Sequence, residues 1–280
     1  MKLSIPLKMR SKIYFLFYFF IFLFFFITPI KSFGWGGKNH PIISKQAYNL
    51  LPKWETDLLA AYGDSIIYTY CVYPDMYRKE EFKKALKPYI EIPFIKSSTI
   101  FHHSDENLSG NIMGSITNFD NMHDFYILTY FMEKSIELLR ANNIKEAARH
   151  IGTLSHYIED YSCPVHVINN ALLTQLLPPP PNLKNFRVHS EVEKPDMENL
   201  IISNYSVKKL GKTLFEAVNN IIPRFNNMQL NARAQAVPII MGIYEDDFNK
   251  SDNARNNAAE PAVKLLADIW HTIFCLAFNR

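Results

Sequence analysis

The sequence predicts an all-α protein with one large helical domain, and three observations carry that expectation. Apolar residues recur at helical spacing over long stretches, while few segments alternate apolar and polar as half-buried strands do. The 280 residues leave ample length for one core. Hydrophobic residues make up 48%, and the 16 prolines against 9 glycines point to ordered loops rather than disorder. No internal repeat is visible.

The first element reads as a targeting segment, residues 1–34. Lys2, Lys8, Arg10 and Lys12 form a positive stretch before the apolar and aromatic run of 15 residues from Ile13 to Ile27. Ser32 and Gly34 are small residues at the −3 and −1 positions of a cut after Gly34, the pattern of a secretory signal peptide. The expected mature chain, 35–280, is secreted or periplasmic and begins at Trp35. The alternative is an uncleaved membrane anchor, for which the run is short. The leader also carries the charge excess. The whole chain has 30 basic and 27 acidic residues. Without Lys2, Lys8, Arg10, Lys12 and Lys31, which have no acid beside them, 25 basic residues face 27 acidic ones, a net charge of −2. No global positive bias argues for binding duplex nucleic acid.

Helices are expected over Pro41–Leu51, Asp120–Ala141, Ile144–Tyr161, Leu200–Ile221, Ala234–Asp247 and Glu260–Phe278. The second carries a wide stripe of Phe125, Leu128, Phe131, Met132, Ile136 and Leu139. The third sets Ala147, Ile151, Leu154 and Ile158 on one face. Pro238 is expected to break or kink the fifth, and Pro261 suits a first turn. Lys87–Ile100, with Pro88 and Pro93, reads as a surface loop. Pro178–Pro181 reads as an extended, rigid connector. Cys71, Cys163 and Cys275 cannot all pair within the chain. A Cys71–Cys163 bridge and three buried thiols are both open readings.

The chemistry concentrates in "GTLSHYIEDYSCPVHV", residues 152–167. His156 and Asp160 stand at i and i+4, stacked on one helix face. Pro164 stops the helix, and the turn can return His166 to the same side. Two imidazoles and a carboxylate suit zinc. A simple surface pair with an unrelated histidine would give the same spacing. Elsewhere "VHSEVE" places His189 and Glu193 four apart, "FHHSDE" supplies His102 or His103, "YPDMYR" supplies Asp75, and "WGGKNH" places His40 five residues after Trp35.

This ordered set resembles the superfamily of zinc-dependent phospholipases C and single-strand-specific zinc nucleases. The resemblance implies a helical domain with a trinuclear zinc cleft. Trp35, through its free amino nitrogen and carbonyl, and His40 would hold one Zn2+. Asp160 would bridge it to a second, which also takes Asp75, His102 and His156. The third would take His166, His189 and Glu193. His102 is preferred over His103 because the family pattern His-x-x-Asp is met by His102 and Asp105. Glu191 is the reserve for Glu193, since Pro195 would disturb a helix through that pair. His123, His150 and His271 match nothing and read as structural.

The resemblance further implies hydrolysis of a phosphodiester by a metal-activated water, with Asp75 as a catalytic group orienting that water or taking its proton. A phospholipase C-like enzyme acting on phospholipid at a membrane surface is preferred, because Glu193 resembles the phospholipases. A nuclease cleaving single-stranded nucleic acid is the alternative, favoured by the short Trp35–His40 spacing and the long His166–His189 loop. A catalytically inactive, metal-stabilised binding protein is the third reading. Met76 and Thr99 stand where the best-known phosphatidylcholine enzymes carry aromatics, so no choline cage is expected. Tyr73, Tyr77 and Phe101 read as packing before they read as base or lipid contacts.

Overall fold

A computed structural model describes residues 35, 37–76, 121–183, 185–194, 197 and 199–280, apart from the side chains of 75, 76 and 121–123. The expected loop over 87–100, together with Tyr77, Phe101, His102, His103 and Asp105, lies outside the described residues. So do the targeting segment and the side chains of Asp75 and His123. No strand occurs among the described residues, and the all-α expectation holds.

The described elements are α1 (Asn39–Asn49), α2 (Lys53–Leu58), α3 (Gly63–Tyr68), a 3₁₀ turn (Tyr70–Val72), α4 (Tyr73–Met76), α5 (Asn121–Arg140), α6 (Ile144–Tyr161), α7 (Pro164–Val167), α8 (Asn170–Leu176), α9 (Val188–Glu193), α10 (Leu214–Tyr244) and α11 (Phe248–Phe278). The predicted stripe on α5 is the buried one: Leu128, Phe131, Met132, Ile136 and Leu139 face the core, with Phe125 packed at its edge. On α6 the periodic Ala147, Ile151, Leu154 and Ile158 are fully buried. Asn143 caps this helix by accepting from the Glu146 backbone N–H, which satisfies a first-turn donor. Burial continues right round α6, through Ser155, His156, Glu159 and Asp160. That departs from an amphipathic surface helix and requires each of those polar groups to find a partner.

The C-terminal part departs most from expectation. Residues 200–213 form no helix. Here α11 satisfies the backbone with side chains: Asp268 Oδ1 accepts from Lys208 N at 2.7 Å and Thr272 Oγ1 from Leu210 N at 2.9 Å. The next helix begins only at Thr213, which caps α10 by accepting from Glu216 N. Pro223 and Pro238 lie inside α10 without ending it, and Pro261 lies well inside α11 rather than in its first turn. A proline inside a helix costs about 3 kcal/mol, and extensive packing between α10 and α11 outweighs it here. Residues 245–247 join these two helices. They pack so closely that a Cβ on Gly242 would stand 2.7 Å from Ser251 N. Helix α11 is long and apolar enough to cross a membrane. However, 78% of its apolar window is buried inside the fold, which makes it a core helix.

All three cysteines are buried as thiols, so the Cys71–Cys163 bridge is not formed. The prolines at 178–180 carry no regular secondary structure, as expected of a connector. His150 is structural: its Nδ1 donates to the Glu146 carbonyl at 2.8 Å, and burial lowers the ring's pKa to about 4.

One glycine governs how the 3₁₀ turn meets α6. A Cβ on Gly152 would lie 2.4 Å from Tyr70 Cβ and 3.3 Å from the Tyr70 backbone. Gly152→Ala must therefore push the turn and its Cys71 carbonyl away from α6. The expected loss is about 1–3 kcal/mol of stability, as for other overpacked cores. Denaturant unfolding of the variant against the parent protein measures it.

Candidate metal centre

Two turns of α6 aim their polar side chains at α1. His40, on α1, donates Nδ1–H to Glu159 Oε2 at 2.7 Å, and Ser44, one turn further along α1, donates to Glu159 Oε1 at 2.6 Å. His156 donates Nδ1–H to the Cys71 carbonyl at 2.7 Å. A carbonyl can only accept, so the neutral His156 ring carries its proton on Nδ1 and turns the Nε2 lone pair inward. The Glu159 carboxylate sets the same tautomer on His40. The two rings stack with centroids 4.3 Å apart.

Both Nε2 atoms face Asp160. His40 Nε2 lies 3.4 Å from Oδ1 and His156 Nε2 lies 3.3 Å from Oδ2, with all three side chains fully buried. Neither Asp160 oxygen accepts a hydrogen bond from a described residue. Lone pairs therefore point at a buried carboxylate, an arrangement stable only with positive charge among them. Burial by itself would raise the Asp160 pKa, yet His156, His166 and His40, if protonated, would hold it well below the usual carboxylate range. A divalent cation supplies the same charge without protonating the rings. The donor atoms of His40, His156 and Asp160 all lie within 4.8 Å of one another, which fits a shared ion.

A second group repeats the pattern. Glu193 Oε1 stands 3.1 Å from His166 Nε2 and 2.8 Å from His189 Nε2. Pro164 occupies the first turn of α7 and directs His166 inward, while the six-residue α9 stacks His189 over Glu193 and ends before Pro195. Glu191 instead pairs with Lys194 at 2.8 Å, so Glu193 is the carboxylate brought to the two histidines. Asn170 Nδ2 lies 3.2 Å from His189 Nδ1. With the amide turned the other way, Oδ1 accepts from Nδ1–H and the Nε2 lone pair faces Glu193.

Of the residues predicted from sequence, His40, His156 and Asp160 come together, as do His166, His189 and Glu193. Trp35 is fully buried, and its indole N–H donates to Ser162 Oγ at 2.8 Å, two residues beyond Asp160. Asp75 lies on α4, which packs against α6.

Sequence reasoning missed several supporting residues. Glu159 was hidden beside Asp160, although a second acid next to a candidate ligand was a usable signal. Asn39, adjacent to His40, donates to the Glu193 carbonyl at 3.0 Å and so ties α1 to α9. Arg255 is buried and donates to the Val192 carbonyl at 3.1 Å and the Glu191 carbonyl at 3.3 Å. A cation there satisfies the last carbonyls of α9. Cys163 sits with His166 and Glu193 as a further donor, its thiol pKa pushed up by burial and then by Glu193. His271, read as structural, belongs to a separate group with Glu55 and Cys275.

These features define a helical protein with buried carboxylate–imidazole groups of the kind that hold divalent metal. The family described as zinc dependent phospholipase C matches residues 39–194, more than half of the chain and the whole stretch from His40 to Glu193. The chain belongs to that family, and its zinc dependence follows. No curated protein and no solved structure matches it.

Glu159→Gln tests the support of His40. An amide N–H2 turned toward the ring would move the imidazole proton to Nε2 and remove the lone pair facing Asp160. The expected outcome is about 10–100-fold weaker zinc binding with unchanged helical content, measured by competition with a chromophoric chelator.

Proposed function

We propose that the chain is an exported zinc-dependent hydrolase of the phospholipase C type, acting on phospholipid head groups. The observation that carries this reading is the buried Asp160 carboxylate facing two Nε2 atoms, within the segment that matches the family. Zinc bound there would lower the pKa of a water toward neutrality and neutralise phosphate charge as the P–O bond breaks.

Three ions are proposed. Trp35 and His40 take the first. Asp160 offers one oxygen to it and the other to a second ion, shared with His156, Asp75 and His102. His166, His189 and Glu193 take the third. The separate facing of Oδ1 to His40 and Oδ2 to His156 supports the bridging role. Glu159 and the Cys71 carbonyl hold the two rings in the tautomer that presents Nε2. Asp75 orients the attacking water or accepts its proton. The Trp35 role needs a free amine, which cleavage after Gly34 would create, and the Ser162 contact anchors this end of the chain beside Asp160.

Lipid is preferred over nucleic acid on the family match and on the net negative charge of residues 35–280. The short Trp35–His40 spacing keeps a single-strand nuclease as the rival. With phosphatidylcholine vesicles and single-stranded DNA as parallel substrates, the expected result is lipid hydrolysis alone, abolished by chelator and restored by zinc. Asp160→Asn should lower the rate at least about 100-fold, since it removes a shared ligand. DNA cleavage without lipid turnover would replace this reading with the nuclease. Zinc binding with neither activity would leave a metal-stabilised binding protein.

The amino-terminal ligand has its own check. One residue inserted before Trp35 converts the amine to an amide, and zinc content per chain should fall with activity. Full zinc content and unchanged activity would refute the role of Trp35.

A further inference from the structure

Three donors outside the centre described above meet where α2 packs on the end of α11. His271 and Cys275 stand at i and i+4 on α11, stacked on one face. Glu55 reaches them from the first turn of α2. His271 Nδ1 lies 2.5 Å from Glu55 Oε1, and Cys275 Sγ lies 3.5 Å from His271 Nε2. The three ligand atoms all fall within 4.8 Å of one another. Glu55 is fully buried, and its second oxygen, Oε2, has no hydrogen-bond partner among the described residues. A buried carboxylate oxygen left in this state is costly unless a cation or donor can reach it.

We infer that Glu55, His271 and Cys275 form a second metal site, for a borderline-soft divalent ion of the zinc type. The donor set is thiolate, imidazole and carboxylate, which such ions accept. Its charge suits burial: one carboxylate and one thiolate neutralise a divalent cation, and the imidazole stays neutral. The neighbouring cations do not fill the place. Lys209 donates its ammonium to the Arg280 carbonyl, and the Arg280 guanidinium lies over the Trp54 ring.

Without an ion, burial and then the Glu55 charge push the Cys275 thiol pKa up. Binding displaces that proton to solvent as the thiolate ligates. The sulfur lies nearly as close to Nδ1, at 3.9 Å, as to Nε2. Binding would require one ring nitrogen to turn toward the ion and Glu55 to exchange its contact with the ring for the metal. The His271 side chain is 16% exposed, which gives the ion a path. Two of the three donors, His271 and Cys275, lie beyond residues 39–194, so the family match does not account for this site. The bound ion would pin α2 to α11 beside the Trp54–Phe274 contact.

Cobalt titration of the full chain tests the site, because thiolate ligation gives a near-ultraviolet charge-transfer band. With Cys163 replaced by serine to remove the thiol at the other centre, the band is expected, lost on adding Cys275→Ser and at least about tenfold weaker in affinity on adding His271→Asn. It should persist on adding Asp160→Asn, which separates this site from the centre on α6 whether or not that centre binds metal. A variant-free measurement accompanies it: zinc should slow alkylation of Cys275 in the parent chain at least about tenfold. No band in Cys163→Ser, a band that survives Cys275→Ser in that background, or alkylation indifferent to zinc would each overturn the assignment.

Discussion

A carboxylate with no exposed surface, facing two imidazole nitrogens, sets the terms for the rest of this fold. An unpaired ion in such a place costs several kcal/mol, so the surroundings of Asp160 must supply positive charge at fixed positions. Around it, residues 150–160 of α6 are buried, and the polar side chains beside Asp160 are oriented by partners from other elements. His156 is turned by the Cys71 carbonyl, Glu159 is held by Ser44 and His40, and Ser162 receives the Trp35 indole. The two imidazoles hold their inward nitrogens because their outward nitrogens are already engaged. Outer hydrogen bonds of this kind orient ligands and raise their basicity.

The His166, His189 and Glu193 group shows the same logic on a weaker frame. A six-residue helix has little stability of its own, yet α9 must hold two donors in register. It is fixed from outside. Asn39 grips the Glu193 carbonyl from α1, and the buried Arg255 on α11 satisfies the carbonyls of Glu191 and Val192. Positive charge at the C-terminal end of α9 also complements its dipole. The carboxylate of Glu193 is thus placed by contacts to its own backbone before any ion is present.

Local periodicity made part of this legible in the sequence. His156/Asp160 and His189/Glu193 announce themselves at i,i+4, and the apolar stripes on α5 and α6 predict the buried faces. Non-local partners were not legible. Nothing near Glu159 in the chain identifies His40 or Ser44 as its partners, because those contacts cross more than a hundred residues. The segment 200–213 looked helical by composition. Side chains of Asp268 and Thr272 offered its backbone another set of hydrogen bonds, and tertiary contact overrode local propensity. Pro261 was misread for the same reason, and Pro238 does not end its helix: packing along α10 and α11 outweighs the local penalty of a proline.

The C-terminal hairpin is therefore more than a cover for the family-matched segment. Helix α11 carries Arg255, which fixes the Glu193 end of the metal-type centre, and Asp268 and Thr272, which tie down the approach to α10. It also carries His271 and Cys275, which face Glu55 on α2. One buried helix thus connects both ends of the matched segment, from α2 to α9. A shift of α11 along its axis would move the Arg255 guanidinium that satisfies the last carbonyls of α9, whereas the side-chain partners of α6 come from α1 and the 3₁₀ turn. The two carboxylate–imidazole groups consequently differ in origin. The Asp160 group is assembled within the matched segment, whereas the Glu193 group is finished by a cation from outside it.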